Sequence, residues 1–297
     1  MRASIIIPAL NEEKNISRIL PAVFSQTDAS DEIIVVDNGS VDGTVEVARS
    51  LGALVVMEPS RGRAQARNAG IKISRGRIIV FLDADCLPVS GWLSRLIAGF
   101  ADESVGCIAG EIVNSEVSTS FGQYLNDKGH LSQANAFCHP FLPYAQSGNV
   151  AFLRRVLDRI GNFDEALFAG HDADLCWRMQ LNTDFKLILT PEASVFHAFH
   201  LSARSFLRQK RRHALGAVLL YKKYRSYRGS ERKTVKTLYW EYRSIFRRLI
   251  KHSWRLLLAK IGLAAKPSLS EGYQLLIELG EKWGRIEGSL RYHTLFL

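Results

Sequence analysis

The sequence predicts an α/β fold: a doubly wound, mainly parallel, Rossmann-like sheet with a basic helical C-terminal region. Over about the first 85 residues, short strand-like segments alternate with helical segments through short connections. Ile78–Leu82 consists of five consecutive apolar residues, which is typical of a strand covered on both faces. From Ser202 onward the pattern becomes helical and basic.

The first 85 residues are predicted to contain four strands and three helices. Pro8 is expected to end the first strand, and Asn11 to Glu13 supply a cap and an acidic first turn for the first helix. The strands are Ala3–Ile7, Glu32–Val36, Ala53–Met57 and Arg77–Leu82; the helices run from Glu13 to about Phe24, from Asp42 to about Leu51, and over Ala64–Ser74. No Gly-rich dinucleotide fingerprint and no P-loop follows any strand.

The middle of the chain carries weaker signals. Residues 115–145 mix polar and aromatic side chains, and we expect a mobile loop with some helix there. The other predicted elements are a helix over Trp92–Phe100, strands over Gly106–Glu111 and Val150–Leu153, a helix beginning near His171, a strand over Lys186–Leu189 stopped by Pro191, and a short extended segment over Ala193–His197.

Composition narrows the class of protein. The 297 residues are 47% hydrophobic, which is enough for a substantial core. The four cysteines form no CxxC pair and no zinc-ligand spacing, which favours a reducing compartment. We recognise no signal peptide, and no apolar run approaches the roughly 20 residues that span a bilayer. These features predict a cytoplasmic protein.

The net charge of +10 is divided unevenly along the chain. Residues 1–200 carry 17 Lys and Arg against 23 Asp and Glu, a balance of −6. Residues 201–297 carry 22 against 6, a balance of +16. The sequence therefore combines a mildly acidic body with a strongly basic tail.

Carboxylates follow successive predicted strands. Glu12, Asp37 and the pair Asp83 and Asp85 all lie where strands end, and such ends share one edge of a doubly wound sheet. Two acids this close repel unless a cation or donors hold them, so a hard divalent ion is expected. An isolated Asp-X-Asp pair also fits a solvated turn; its position after a strand favours the ligand site.

Several motifs occur in an order typical of one enzyme family. They are Pro8–Glu12 (PALNE), Asp37–Ser40 (DNGS) with Asp42–Thr44 (DGT), Ala66–Gly70 (ARNAG), Asp83–Asp85 (DAD), Gly170–Leu175 (GHDADL) and Gln209–His213 (QKRRH). Over residues 3–215 the chain resembles family 2 glycosyltransferases of the GT-A fold. The resemblance implies a catalytic domain over residues 1–215, with a nucleotide-sugar half over about 1–110 and an acceptor half over about 111–215. Residues 216–297 form the basic, amphipathic helical C-terminal region.

The resemblance also implies roles for individual residues. Asp172 would be the general base of an inverting transfer, Asp83 would meet the ribose or the metal shell, and Asp85 would bind Mn²⁺ or Mg²⁺ on the donor diphosphate. The implied donor-binding residues are Pro8, Ala9, Asn11, Glu12, Asp37, Gly39, Arg67, Asp83, Ala84 and Asp85. The implied acceptor-side residues are His171, Asp174, Gln209 and Arg212.

Three histidines depart from the family pattern or extend it. His171 stands where the family has Glu, and His213 replaces the aromatic residue of the QxxRW element. His197 matches a position that supplies a metal ligand in some GT-A enzymes; the alternative is a partly buried histidine bonded to backbone. Asp174 is either an acceptor contact or a helix cap.

The basic tail allows two interpretations. Lys233–Lys260 has apolar residues at helical spacing, with Trp240 and Trp254 widening the apolar face and basic residues on much of the remainder. It is either an amphipathic helix docked on the catalytic domain or an interfacial helix attracted to anionic lipid. In the second case the protein would be peripheral on the inner face of the cell membrane.

The predicted function is transfer of a sugar from a nucleotide-diphosphate donor, with a UDP-sugar favoured, to a hydroxyl of a saccharide or lipid-linked saccharide. A sugar-nucleotidyltransferase is the first alternative, but such enzymes need a Gly-rich basic loop after the first strand, and Pro8–Glu13 has neither glycine nor a basic residue. A nucleic-acid-binding protein would suit the basic tail. The acidic body and the lack of a recognised module argue against a specific nucleic acid.

Overall fold

The structure, a computed structural model, describes residues 2–114, 119–197, 202–227, 235–261, 263 and 265–296. The chain forms two compact units. The first unit comprises residues 1–116 and 131–198, and the second comprises 117–130 and 199–297. The predicted domain boundary after residue 215 falls inside a helix of the second unit, Ala203–Tyr224.

The first unit is built on one sheet. In the described part of the chain its eight strands have the order β3-β2-β1-β4-β7-β6-β8-β5. The strands are β1 (Ala3–Ala9), β2 (Glu32–Asp37), β3 (Leu54–Met57), β4 (Ile78–Leu82), β5 (Cys86–Pro88), β6 (Val105–Asn114), β7 (Asn149–Leu153) and β8 (Lys186–His197).

Helices of the first unit connect these strands and cover the sheet. They are α1 (Glu13–Phe24), α2 (Thr44–Ser50), α3 (Arg63–Ile73), α4 (Trp92–Ala98), α6 (Gln133–Phe137), α7 (Arg154–Ile160) and α8 (His171–Asn182). The second unit contains α5 (Ser120–Asp127), α9 (Ala203–Tyr224), α10 (Val235–Lys260) and α11 (Leu269–Arg291). The predicted loop over 115–145 thus contains α5 and α6, and residues 115–118 lie outside the described residues.

The first four strands, β1 to β4, are parallel to one another. β1 pairs with β2 and β4, and β2 pairs with β3, all in parallel register. Every residue of β4 is buried, which is why this strand has no alternation of polar and apolar side chains. β1 continues past the predicted stop at Pro8 to Ala9. The pairing of β1 with β4 ends at Ile6, so the missing N–H of Pro8 costs no hydrogen bond between these two strands.

The other half of the sheet is mixed. β7 is antiparallel to both β4 and β6, and β8 is parallel to β6. The two short extended segments predicted around Pro191 are wrong as separate elements, because Lys186–His197 is one strand. Pro191 lies at a register shift in the β6–β8 ladder, where a residue without an N–H is tolerated. A Cβ on Gly110 would lie 2.0 Å from the Ala193 carbonyl oxygen, so this position requires glycine.

In the second unit α9 and α11 approach each other closely. A Cβ on Gly284 would lie 2.3 Å from the Arg211 carbonyl oxygen, whereas one on Gly280 would make ordinary contact with Leu207 at 3.4 Å. A separate aromatic cluster of Phe121, Tyr124, Leu125 and Phe206 joins α5 to α9. Among the described residues, no helix combines the length and the apolar character needed to cross a membrane.

Candidate active site

The loops that follow β1 and β2 are hydrogen-bonded within themselves and to each other. Asp37 is fully buried, and its carboxylate accepts from the backbone N–H groups of Gly39 (3.0 Å) and Ser40 (3.2 Å). Asn38 donates its backbone N–H to the Ala9 carbonyl at 2.9 Å. Asp37 and Gly39, both predicted donor contacts, therefore belong to a preformed turn rather than to a mobile loop.

The loop after β1 is attached to the same turn. Asn11 has a positive φ of 57°, its N–H donates to Ser40 Oγ (2.9 Å), and its Oδ1 accepts from Val41 N–H (2.9 Å). The Glu12 N–H donates to Thr44 Oγ1 at 2.8 Å. Pro8 and Ala9, the last residues of β1, pair with the end of β2. The PALNE and DNGS motifs thus form one connected structure at the sheet edge.

The predicted acids of this edge influence one another. Burial raises the pKa of Glu12; Asn15 opposes this by donating to the carboxylate at 2.6 Å, and the charges of Asp85 and Asp83 raise the pKa further. Such mutual influence requires proximity, as the topology of the sheet predicts. Asp83 and Asp85 follow β4, with the predicted donor residue Ala84 buried between them.

Arg67 joins two sides of the site. Its guanidinium is 1% exposed; one nitrogen, Nη2, donates to Asp83 Oδ1 at 2.6 Å, and the other, Nη1, lies 3.2 Å from His171 Nε2. The ring of Phe163 lies beneath it, 5.7 Å from the guanidinium carbon. The sequence placed Arg67 near the carboxylates, but the contact with His171 was not predicted.

Asp85 and His197 form the candidate metal centre. Asp85 Oδ2 lies 3.1 Å from His197 Nε2, and both side chains are partly exposed. Two ligands at about 2.1 Å from an ion and at right angles to each other would lie about 3 Å apart, so this donor pair fits a small divalent ion. No set of three ligand-type side chains converges in the described part of the chain. A divalent ion here would therefore need oxygens from substrate or water, which is the way Mg²⁺ is commonly held.

Asp172 lies in the first turn of α8. Its Oδ2 accepts from both the N–H and the hydroxyl of Ser147, each at 3.2 Å. Burial raises the pKa of Asp172, but the charges of His171 and Arg67 and the Ser147 N–H outweigh it and bring the pKa to about 2. The carboxylate is therefore ionised at neutral pH. Ser147 was not predicted to be a site residue, although it precedes β7 much as Asp83 follows β4.

Asp174, on the same helix, is in a different environment. It is fully buried, and its Oδ2 accepts from Arg178 Nε at 2.9 Å. Arg178 also donates to the carbonyl of Ile160, the last residue of α7, and to that of Asn162, which follows the helix. This geometry gives Asp174 a structural task in holding that turn, and its acceptor contact stays a prediction.

Asn68 explains why the ARNAG motif has an amide beside the arginine. Its amide donates to the Phe163 carbonyl at 3.0 Å and accepts from the Phe163 N–H at 3.1 Å. This two-point contact fixes the ring that lies under Arg67. Sequence reasoning missed the role, and only the spacing of the motif could have indicated it.

The remaining predicted residues lie in the second unit. Gln209 and Arg212 are on α9, in its first half. His213 follows them where an aromatic residue was expected from the family pattern. The donor and acceptor roles of this element stay predictions.

Comparisons with known proteins agree with this arrangement. A family model described as glycosyl transferase family 2 matches residues 4–161. The glycosyltransferase AglE of Haloferax volcanii is 33% identical over 184 residues, which are 57% of this chain and 58% of that protein. An Escherichia coli protein named UDP-Glc:alpha-D-GlcNAc-diphosphoundecaprenol beta-1,3-glucosyltransferase WfgD is 35% identical over 118 residues, 38% of this chain and 47% of that protein. The chain thus spans about half the length of these curated relatives.

The fold is also found among solved structures. The mannosyltransferase PcManGT from Pyrobaculum calidifontis, in complex with GDP-Man and Mn²⁺, superposes with a TM-score of 0.63 at 22% identity. The match covers 95% of this chain and 87% of that one. The GT-A-type fold predicted from the sequence is confirmed. Because the family model matches more than half of the chain, this protein belongs to glycosyl transferase family 2.

Proposed function

We propose that the protein is an inverting glycosyltransferase that moves a sugar from a nucleotide-diphosphate donor to a hydroxyl group. The observation that carries the proposal is the position of Arg67, which contacts Asp83 at the end of β4 and His171 beside Asp172. A donor-binding carboxylate and a candidate base are thereby fixed in one compact unit. Inversion follows because a single attack at the anomeric carbon reverses its configuration.

The donor would lie along the edge formed by the loops after β1, β2 and β4. Pro8, Ala9 and Asp37 would contact the nucleobase of the donor. Asn11, Glu12 and Gly39 would shape the loops next to it. Asp83 would contact the ribose, because Arg67 holds its carboxylate in a fixed orientation. A UDP-sugar is favoured, since UDP-Glc stands in the name of one relative, although the solved neighbour is in complex with GDP-Man.

Asp85 and His197 would hold a divalent cation, Mn²⁺ or Mg²⁺, against the donor diphosphate. When bound, such an ion neutralises the negative charge that develops on the departing nucleotide diphosphate. Asp85 supplies a hard oxygen ligand, and His197 supplies a nitrogen ligand when its Nε2 is unprotonated. The Mn²⁺ in the neighbouring mannosyltransferase supports this assignment.

Asp172 would act as the general base. Its Oδ2 is occupied by two bonds from Ser147, so Oδ1 faces the acceptor hydroxyl and receives its proton as the hydroxyl oxygen attacks. The low pKa of Asp172 keeps the carboxylate ionised and ready before the acceptor binds. The acceptor would be a saccharide or a lipid-linked saccharide, the latter supported by the diphosphoundecaprenol acceptor named for a relative.

A screen of nucleotide sugars tests the proposal. Purified protein is incubated with UDP- and GDP-sugars in the presence of Mn²⁺ and, separately, of EDTA, and release of the nucleotide diphosphate is measured. We expect one donor to release its nucleotide diphosphate in the presence of Mn²⁺. This release should be lost in EDTA and in the Asp85→Asn variant. The matched control is Asp158→Asn, an exposed carboxylate of α7. Full release in EDTA would refute the metal role, and no release from any donor would refute the transferase assignment.

We further propose that the second unit holds the protein at an anionic membrane surface. α10 has an outward row of exposed apolar side chains at spacings of three and four residues, Phe246, Ile250, Trp254 and Leu257, and Ile261 just after the helix continues the row. Trp240 is exposed as well. Arg247 and Lys251 are exposed beside this row, and each basic residue near an anionic leaflet contributes about 1 kcal/mol.

The opposite side of α10 supports the same proposal. It faces α11 through ion pairs of Arg248 with Glu278, Arg255 with Glu271, and Lys282 with Glu241. A helix docked through its apolar row would have buried Trp240 and Trp254, which are 52% and 58% exposed. With this row facing lipid, the protein would be peripheral on the inner face of the cell membrane, the second of the two interpretations drawn from the sequence. Co-sedimentation with anionic vesicles that fades at high salt is the expected result; equal binding to neutral vesicles, or none to either, would refute it.

A further inference from the structure

His171 is the one residue of the α8 motif that departs from the family pattern, and its surroundings restrict its protonation. The side chain is almost fully buried. Arg67 and Arg63 approach it from α3, Asp83 from the end of β4, and Asp172 from α8 itself. The ring of Phe163 packs edge-on against it with centroids 5.6 Å apart.

One imidazole nitrogen of His171 lies between a hydrogen-bond donor and a hydrogen-bond acceptor. His171 Nε2 is 3.2 Å from Arg67 Nη1, and the same nitrogen is 3.4 Å from Asp172 Oδ1. A guanidinium can only donate, and a carboxylate at neutral pH can only accept. Nε2 therefore accepts from Arg67 when it carries a lone pair, or donates to Asp172 when it carries a proton, but it cannot do both.

The contact with Arg67 decides between these states, and it outweighs the cost of an Nδ1–H that is buried without a hydrogen-bond partner among the described residues. Arg67 is charged at every accessible pH, and its Nη2 is already committed to Asp83 at 2.6 Å. A protonated Nε2 would place an N–H against the Nη1 hydrogens of a buried cation, without water to separate them. Asp172, in contrast, already accepts two hydrogen bonds from Ser147.

We infer that His171 is a positioning residue, neutral and protonated at Nδ1, whose Nε2 lone pair holds Arg67 in place and leaves Asp172 Oδ1 open to the acceptor hydroxyl. Its effect on catalysis rests on the proposed function; its tautomer does not. The Glu that usually occupies this position could also accept from the arginine. A histidine does so without adding a negative charge beside the base.

Protonation of His171 would reverse this arrangement. The imidazolium has no lone pair for Arg67, and its new N–H donates to Asp172 Oδ1, so the base becomes occupied. Burial lowers the pKa of His171; Asp172 raises it, and Arg67 and Arg63 lower it, leaving the pKa below its ordinary value. Because Asp172 has a pKa of about 2 and stays ionised at mildly acidic pH, protonation of His171 contributes a decline in turnover on the acid side. It adds to the decline expected from His197, whose pKa burial lowers but Asp85 raises above its ordinary value.

The tautomer is tested by long-range ¹H–¹⁵N correlation spectroscopy on the full chain at about pH 7.5, above the ordinary pKa of histidine. His171→Gln assigns the signal by its disappearance, and His252→Gln, on α10, is the control that removes a different histidine. We expect a protonated Nδ1 and an unprotonated Nε2. A proton on Nε2, or on both nitrogens, overturns the inference whether or not the protein transfers sugars.

The positioning role is tested by measuring the rate at which nucleotide diphosphate is released from the donor between about pH 5 and pH 8, the range in which histidine titrates. Glutamine can accept from Arg67 through its amide oxygen and does not titrate. His171→Gln should keep turnover within a few fold at the upper end and remove the part of the acid-side decline that His171 causes, whereas His171→Ala should be impaired throughout. An acid-side decline unchanged in the Gln variant, or equal impairment of Gln and Ala, overturns the role. Failure of the proposed function would appear differently, as no turnover in the wild type.

Discussion

The two compact units place their apolar and charged side chains in opposite ways. In the first unit the central strand β4 buries every apolar residue, and carboxylates appear where strands end. In the second unit α10 pairs Glu241, Arg248 and Arg255 with α11 and directs its apolar row outward. The first pattern makes a polar cleft on an apolar scaffold, and the second makes an apolar surface on a charged scaffold. The difference teaches that the proposed sugar-transfer site and the proposed membrane surface can be tested separately in one chain.

The largest effect that would sharpen this comparison is expected from Asp172→Asn. It should lower turnover about 10²–10⁴-fold, the usual contribution of a positioned base, and leave vesicle binding unchanged. Asp158→Asn on α7 is the matched control for loss of one carboxylate from the same unit. Normal turnover in Asp172→Asn would remove this residue from the mechanism.

The converse substitution changes the outward row of α10. Phe246→Ser combined with Trp254→Ser removes two exposed aromatic side chains, each of which is worth about 1.5–3 kcal/mol when buried. We expect binding to anionic vesicles to weaken by about 100-fold, with release of nucleotide diphosphate from the donor unaffected. The comparison breaks down if the double variant binds vesicles as the wild type does, or if donor hydrolysis falls with it.

A smaller effect, on the free energy of unfolding, tests the helix packing inside the second unit. Gly284→Ala should lower its free energy of unfolding by about 1–3 kcal/mol, because the new methyl group meets the backbone of Arg211. Gly280→Ala, one turn earlier on α11, meets only ordinary contacts and is the control. Denaturant unfolding followed by circular dichroism measures both variants, and equal stability would contradict the close approach of α9 and α11.

The smallest effect is the pH dependence of stability contributed by His171. Its pKa is lower in the folded protein than in the unfolded chain, so the unfolded chain binds the proton more readily at mildly acidic pH. Stability therefore rises with pH through the interval between the two pKa values and falls as the pH drops below about 6.5. His171→Gln should flatten this slope in urea unfolding at several pH values. A slope as steep as that of the wild type would contradict a lowered pKa.

Much of the first unit could be predicted from local sequence. The unbroken apolar run of Ile78–Leu82 can be satisfied only by a strand buried on both faces, and the alternation of strands with helices requires parallel pairing. Because the carboxyl ends of such strands meet at one edge, the sequence also placed Glu12, Asp37 and Asp83 together. These conclusions need only periodicity and connection length, which are properties of neighbouring residues.

Other features depended on contacts between distant segments. From the local sequence, Pro191 is predicted to end a strand, yet β8 continues through it. The ladder between β6 and β8 shifts register there, so no hydrogen bond from an N–H of residue 191 is needed. Ser147 and Asn68 became site-supporting residues only when β7 and the turn around Phe163 were brought beside α8 and α3. No local pattern encodes these pairings.

The sequence by itself therefore determined the parallel strands β1 to β4, the sheet edge at which the carboxylates were expected and the charge division between body and tail. Tertiary structure alone decided the partners of Arg67, the oxygen of Asp172 that accepts from Ser147, and the face of α10 that points outward. The physical reason is that secondary structure follows from local sterics and the spacing of apolar residues. Hydrogen-bond partners and helix orientation depend instead on which remote groups share a desolvated space, and only the folded chain specifies that.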